Sequence, residues 1–369
     1  MNQLFRWDQM GLFLLALAAG ILPFAVPEVC AAALREGLTL CSGPLLLSLF
    51  PFLVVSRLLI QCPESDLLAL PFRLAAWGIG IRTPCAARVL CIGFLGGFAP
   101  AASAAAQAVR TGQLTAEEAD ALLPACICSG PSFVVLTVGQ SLLGSAELGV
   151  LLFASQITAN YLTAALLNRF AGVRSVKPGS AAPASPAPPR LDEILADAAI
   201  MYCKLCGFIL FFRMLAAGAG ALLPAGAGTL CAILLEVCSG CDLASRTGRW
   251  GSLLCCAALS VQGLSVLLQV RTICPPEMTL RPLYRSRMLH LPLSLALFYL
   301  LLPGGEADVF STLPARVLLM RRVPPDCALL VFAVCCMAAC TLRSGIRQVE
   351  QKQMARNAGG CCINSKTLL

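Results

Sequence analysis

Residues 121–143 read Ala121-Leu122-Leu123-Pro124-Ala125-Cys126-Ile127-Cys128-Ser129-Gly130-Pro131-Ser132-Phe133-Val134-Val135-Leu136-Thr137-Val138-Gly139-Gln140-Ser141-Leu142-Leu143. The run is apolar over the roughly 20 residues that a helix needs to cross a hydrocarbon core. In its middle stands Ser129-Gly130-Pro131-Ser132. Proline removes a backbone N–H and clashes with the preceding turn, so the helix breaks there. In lipid the released N–H and C=O groups need partners, and such a break persists where it lines a cavity or faces protein. A half-helix starting after Pro131 directs its positive dipole end inward, which suits a carboxylate. Taken singly, the break reads better as an ordinary kink or packing notch.

Outward from this run the chain repeats its apolar character. Similar stretches cover Gly11 to Val26, Cys41 to Ile60, Val89 to Val109, Leu148 to Leu167, Ile194 to Leu223, Leu253 to Val270, Met288 to Leu302 and Cys327 to Leu342. Hydrophobic residues make up 58% of the chain and charged residues 12%. A soluble domain carries about 25% charged residues, so too little polar surface remains to face water. The fold class expected is all-α and polytopic, with eight to ten membrane segments, some broken or re-entrant. The first run lacks a small-x-small cleavage site and reads as a retained helix.

Ser175 to Arg190 holds five prolines and little that could form a core. It reads as a flexible linker that divides the chain. Residues 1–170 then form an N-terminal membrane half, 171–190 the linker, 191–343 a C-terminal membrane half and 344–369 a basic tail. The net charge is +8. Arg169, Arg174, Lys177 and Arg190 near the linker, and Arg343, Arg347, Lys352, Arg356 and Lys366 in the tail, are explained by the positive-inside rule. Both segments are expected on the cytoplasmic side, and nucleic acid is not implied as a partner.

The halves carry a weak internal repeat. Pro51 to Leu59 resembles Gly207 to Leu215, each an apolar helix with one arginine, Arg57 or Arg213, at the same place. Gly96-Gly97 has a counterpart in Ser239-Gly240. Gly130-Pro131-Ser132-Phe133 then matches Gly263-Leu264-Ser265-Val266. A duplicated membrane unit with helices broken at corresponding positions is a pattern of secondary transporters. The expected solute site is where the two breaks meet near the midplane, with Ser129, Gly130, Pro131, Ser132, Gly263 and Ser265 around it and Arg213 and Glu236 close by.

Charges inside membrane runs are costly and usually functional. Arg57 is followed by Gln61 and Glu64 and also reads as a snorkelling side chain. Arg213 lies deeper, between Phe212 and Met214. Glu236 stands far inside a membrane run, where it suggests an ion or proton relay or a partner for Arg213. The plainer alternative is a helix-end acid reaching water beside Asp242. By contrast, Arg110 to Asp120 is polar, and Thr115 with Glu118 three residues on forms a capping-box signature. This stretch reads as a short helix start outside the bilayer.

Twenty-one cysteines sit mostly within apolar runs, where free cysteine packs as a small hydrophobe. Cys203/Cys206 and Cys238/Cys241 have Cys-x-x-Cys spacing but no zinc-knuckle turn chemistry, so no metal and no cofactor is expected. His290 is the only histidine. No phosphate loop, nucleophile elbow or zinc helix is present, and the chain is not expected to be an enzyme.

Along nearly its whole length the chain resembles the sporulation integral membrane proteins of the YlbJ type, which contain nucleoside-recognition or Gate domains. The matching residues are Leu49 to Phe52, Gly93 to Gly97, Glu117 to Ala119, Ser129 to Pro131, Gly207 to Ile209, Leu235 to Gly240, Gly263 to Val266 with Gln269, and Tyr284 through Arg287 to His290. Where the family carries a Gly-Tyr-Pro-x-Gly-Ala type motif, this chain reads Gly97-Phe98-Ala99-Pro100-Ala101-Ala102. Where it has paired asparagines, Ile127-Cys128 stand. The resemblance implies two Gate-like halves in a bacterial cytoplasmic membrane, the outer forespore membrane during sporulation. It also implies transport of a small organic anion, dipicolinic acid, with the lipid bilayer as the other partner. A nucleoside transporter and a non-transporting scaffold of spore assembly are the competing readings, and a homo-oligomer is left open.

Overall fold

Glycine, proline and single polar residues cut the apolar sequence into pieces, and the architecture follows from where they fall. The computed structural model describes residues 2–61, 66–171 and 191–302. The linker from 172 onward, Cys327 to Leu342 and the basic tail lie outside the described residues. Every described element is helical. Helix α1 (Asn2–Ala25) meets α2 (Pro27–Ser42) at Val26-Pro27, where the axis turns by 109°. Helix α3 (Pro44–Gln61) and the short α4 (Leu70–Gly78) follow.

Two broken helices come next. Helices α5 (Pro84–Gly96) and α6 (Phe98–Arg110) are parted at Gly97. Helix α7 (Ala116–Cys126) is parted from a π-helix (Ser132–Leu142) by residues 127–131. The long α8 (Ala146–Ala171) closes the first half. Beyond residue 190 the chain resumes with the long α9 (Leu191–Leu222). Helices α10 (Ala225–Leu235) and α11 (Val237–Ser245) are parted at Glu236. Helices α12 (Gly251–Val261) and α13 (Gly263–Ile273) are parted at Gln262, and α14 (Arg281–Leu301) ends the described chain.

All-helical among the described residues, the chain is a multi-pass membrane protein. Three stretches, Ala146–Ala171, Leu191–Leu222 and Gly248–Ile273, are long and apolar enough to cross a membrane, and the bent α1–α2 pair makes a fourth. Leu49–Ile60, Pro84–Gly96, Ser132–Leu142 and Ala225–Leu235 are apolar but shorter. Among the described residues the count by length is three to four against the expected eight to ten for the whole chain, because the glycine and proline breaks halve several runs. Phe24, Leu74, Phe170, Met288, Tyr299 and Leu300 present exposed apolar surface, as a lipid-facing exterior requires.

The core is built on α6. Its Ala99, Ala101, Ala102, Ala104, Ala105 and Ala108 are fully buried, and small side chains let neighbouring backbones approach closely. The two halves meet through exchanged pairs of elements. Helix α6 packs on α13 and the π-helix on α11, α7 packs on α14 and α8 on α12, while α3 meets α9 and α8 meets α14. The capping box at Thr115 and Glu118 forms in both directions. The surrounding stretch is less wet than the sequence suggests. Glu118 also accepts from the Thr83 hydroxyl at 2.6 Å, and Asp120 accepts from the Thr279 and Leu280 N–H groups at 2.8 and 3.1 Å. Both carboxylates are buried because they fasten neighbouring loops.

Candidate functional site

The breaks pair off backbone against backbone. Gly97 has φ +81°, and a Cβ built there would lie 2.6 Å from the Gly130 amide nitrogen. Gly263 has φ +71°, and its Cβ would lie 3.0 Å from the Glu236 nitrogen and the Leu235 carbonyl. Thus the α5–α6 break rests on the α7–π break, and the α10–α11 break rests on the α12–α13 break. In the second pair the chain breaks at Glu236, ahead of Ser239-Gly240. Gly240 lies within α11, against the Ile233 backbone.

The two pairs join across the middle. Gln262 takes a left-handed conformation with φ +66°, which costs a residue with a Cβ about 1–2 kcal/mol. Its amide Nε2 donates to the Leu259 carbonyl at 2.6 Å and to Ser129 Oγ at 3.3 Å. The breaks at Gly130-Pro131 and Gly263 are therefore neighbours.

One cavity opens where they meet, lined by both apolar and polar residues. Leu45 and Leu49 of α3 and Ile209 of α9 form apolar wall. The rest comes from the breaks. Phe98 is the first residue of α6, Ser132 the first of the π-helix, and Val237 and Cys238 the first two of α11. The opening N–H groups of a helix have no intrahelical partner and carry its positive dipole end, so three such ends border one space. Ser129, Ser132, Glu236 and Gln269 supply the polar side chains. Gln269 donates to Ser265 Oγ at 2.9 Å and leaves its own Oε1 buried without a partner.

Of the residues singled out in the sequence, Ser129, Gly130, Ser132, Glu236 and Gln269 line the cavity. Pro131, Gly263, Ser265 and Arg213 do not. Pro131 precedes the π-helix and Gly263 supports the Glu236 backbone. Ser265 orients Gln269. Arg213 pairs with Glu36 of α2 at 2.7 Å instead of with Glu236, and Arg57 pairs with Asp197 of α9 at 2.6 Å. Carboxylates on adjacent helices compensate both arginines. Cys203 is exposed while Cys241 is buried under α12, its carbonyl accepting from the Cys255 thiol.

Glu236 is a cap. It ends α10 and begins α11, with 2% of its surface exposed. Its carboxylate accepts from the Cys238 N–H at 2.8 Å, the Ser239 N–H at 2.7 Å and the Ser239 hydroxyl at 2.8 Å. A charged acceptor at a helix start gains from both hydrogen bonds and dipole. Glu236→Ala is expected to lower stability by about 1–3 kcal/mol, the cost of leaving buried donors unpaired. Glu236→Gln, which keeps an acceptor, should lose less. Unfolding of the detergent-solubilised protein measures both, and equal, unchanged midpoints would show that the cap is dispensable.

A second polar cluster lies behind the breaks. Gln156, Asn160 and Thr163 fall on one face of α8, and Arg287, His290 and Ser294 on one face of α14; all are buried. Gln156 Nε2 donates to Ser260 Oγ at 3.0 Å, and His290 Nε2 lies 3.2 Å from the Gln156 carbonyl. The signal was present in the sequence, as polar residues four and three apart within the apolar run Leu148 to Leu167. No family model, curated protein or solved structure matches the chain. The resemblance to the sporulation proteins therefore rests on the motif residues alone.

Proposed function

We propose that the chain is a membrane transporter or permeation protein for a small organic anion, and that the cavity between the four breaks is its solute site. The observation that carries this reading is the convergence of three helix beginnings on one polar-lined space. Glu236 already occupies the start of α11. The starts of α6 and the π-helix have no such carboxylate, and each offers an anion about 0.3–2 kcal/mol. Ser129, Ser132 and Gln269 add hydrogen-bonding groups. Arg213 is committed to Glu36, so helix ends rather than arginines supply the positive potential.

The order of the helices supports the same reading. Each half runs broken helix, broken helix, long helix, and the contacts between halves occur as exchanged pairs. Broken helices meeting at a repeat interface are where secondary transporters bind solute. The resemblance names dipicolinate, a rigid dianion, and sporulation in the outer forespore membrane as the setting.

The test is flux into proteoliposomes. Purified protein is expected to carry labelled dipicolinate faster than protein-free vesicles, and spores of a deletion strain should be depleted of dipicolinate. Nucleoside flux without dipicolinate flux would reassign the substrate. Flux of neither, with normal spore dipicolinate, would leave the scaffold role.

A further inference from the structure

Broken helices expose two kinds of end. The beginnings face the cavity; the endings of α7 and α12 lie elsewhere, and one side chain reaches both. Arg287 on α14 directs Nη1 to the Ile127 carbonyl at 3.5 Å and to the Ser260 carbonyl at 3.4 Å. Ile127 caps the end of α7, and Ser260 belongs to the last turn of α12. Its Nη2 donates to Asn160 Oδ1 at 3.2 Å and its Nε to Ser286 Oγ at 3.3 Å. Asn160 in turn donates to the Ile127 carbonyl at 3.4 Å.

Among the described residues no carboxylate pairs with Arg287. Arg287 is nevertheless 8% exposed, in a chain of membrane helices. An isolated buried charge is strongly unfavourable there. The compensation available is the negative dipole end of two half-helices plus a shell of neutral oxygens. The distances, 3.2–3.5 Å, are longer than the 2.7–2.9 Å typical of charge-assisted pairs. Arg287 is thus surrounded as a cation in an oxygen cage would be, rather than clamped in a fork. His290, one turn on, faces the Gln156 carbonyl, so α14 brings no second charge partner to the cage.

In transporters built from discontinuous helices, these C-terminal ends and unwound carbonyls are where a coupling sodium ion or proton is held. We infer that Arg287 fills that place permanently, so that solute movement through this protein needs no sodium or potassium gradient. A guanidinium is charged at all relevant pH and cannot dissociate. It holds the α7 and α12 ends together across the half interface throughout a cycle. This inference rests on the transport reading above for its functional half, and on Arg287 alone for its structural half.

The test separates the two halves. Thermal unfolding of the purified protein without solute should give the same midpoint in sodium, potassium and N-methylglucamine chloride. Arg287→Lys, which keeps a cation, should stay insensitive to the salt. Arg287→Gly uncovers the carbonyls, so it should unfold earlier and recover in a saturable way with added sodium or guanidinium. Dipicolinate flux by the unaltered protein should be the same when sodium is replaced by N-methylglucamine on both sides. A sodium-dependent midpoint or flux in the unaltered protein overturns the inference. So does an Arg287→Gly protein that folds but responds to no added cation. If that variant does not fold, the salt series on the unaltered protein decides. Because the midpoint is read without solute, failure of the transport reading shows as absent flux and leaves the midpoint result standing.

Discussion

Gly97→Ala is expected to destabilise the protein more than any other single-methyl change at the breaks. Gly97 sits at φ +81°, ψ −163°, a region essentially confined to glycine. Forcing a residue with a Cβ into it costs about 1–3 kcal/mol. The added methyl would also lie 2.6 Å from the Gly130 nitrogen and 3.2 Å from the Cys128 carbonyl. Both are backbone atoms, so no side chain can swing aside, and overpacking adds about 1–3 kcal/mol. The sum, about 2–6 kcal/mol, is a large part of the roughly 5–15 kcal/mol that holds a protein folded. Two controls separate the causes. Gly80→Ala carries the strained φ of +88° with nothing within 4 Å, and should show the conformational cost alone. Gly207→Ala on α9 has neither strain nor a neighbour, and should be neutral or gain about 0.5–1 kcal/mol from helix preference. Detergent-solubilised unfolding midpoints should rank Gly207→Ala highest, then Gly80→Ala, then Gly97→Ala. A Gly97→Ala protein as stable as the Gly80→Ala control would mean that the two breaks do not rest on each other.

The largest functional effect is expected from Gly130→Leu. Gly130 lines the cavity, and a Cβ at this position would meet the Gly96 carbonyl at 3.4 Å, an ordinary contact. The first carbon of a side chain is therefore tolerated, and Gly130→Ala should fold normally. The further carbons of leucine must enter the cavity beside Ser129 and Ser132. There they cover the start of the π-helix with hydrocarbon, which removes space and anion-stabilising N–H groups together. Dipicolinate flux should fall to the leak of protein-free vesicles, while insertion and unfolding midpoint stay near those of Gly130→Ala. Normal flux through folded Gly130→Leu would move the solute path away from this cavity.

Ser265, grouped with Gly130 in the sequence, is a different case. It is 1% exposed and holds the Gln269 amide. A bulky residue there disturbs packing before it touches solute. The sequence points to both residues because both follow a break. Only their surroundings tell a lining position from a supporting one. Glu236 and Arg213 teach the same lesson. An acid and an arginine within apolar runs invite pairing on charge alone. The fold instead gives Arg213 to Glu36, at a separation of 177 residues, and turns Glu236 into the cap of its own next helix.

The sequence by itself determined that the chain is helical and membrane-embedded, that helices break around Gly130-Pro131 and Gly263, and how α7 starts. Each of these is a local property. Apolar length, a glycine or proline inside a run, and a threonine three residues before a glutamate act within one or two turns. The tertiary structure alone decided what the breaks face. The Ser129–Gln262 contact spans 133 residues and Arg287–Asn160 spans 127. A half-helix end exposes unpaired N–H or C=O groups in whichever direction its axis points. Which cavity, cap or guanidinium meets them depends on how α6 packs on α13, the π-helix on α11 and α14 on α7 and α8. Such packing is fixed by the fit of small side chains across whole helix faces, and no single stretch of the chain records it.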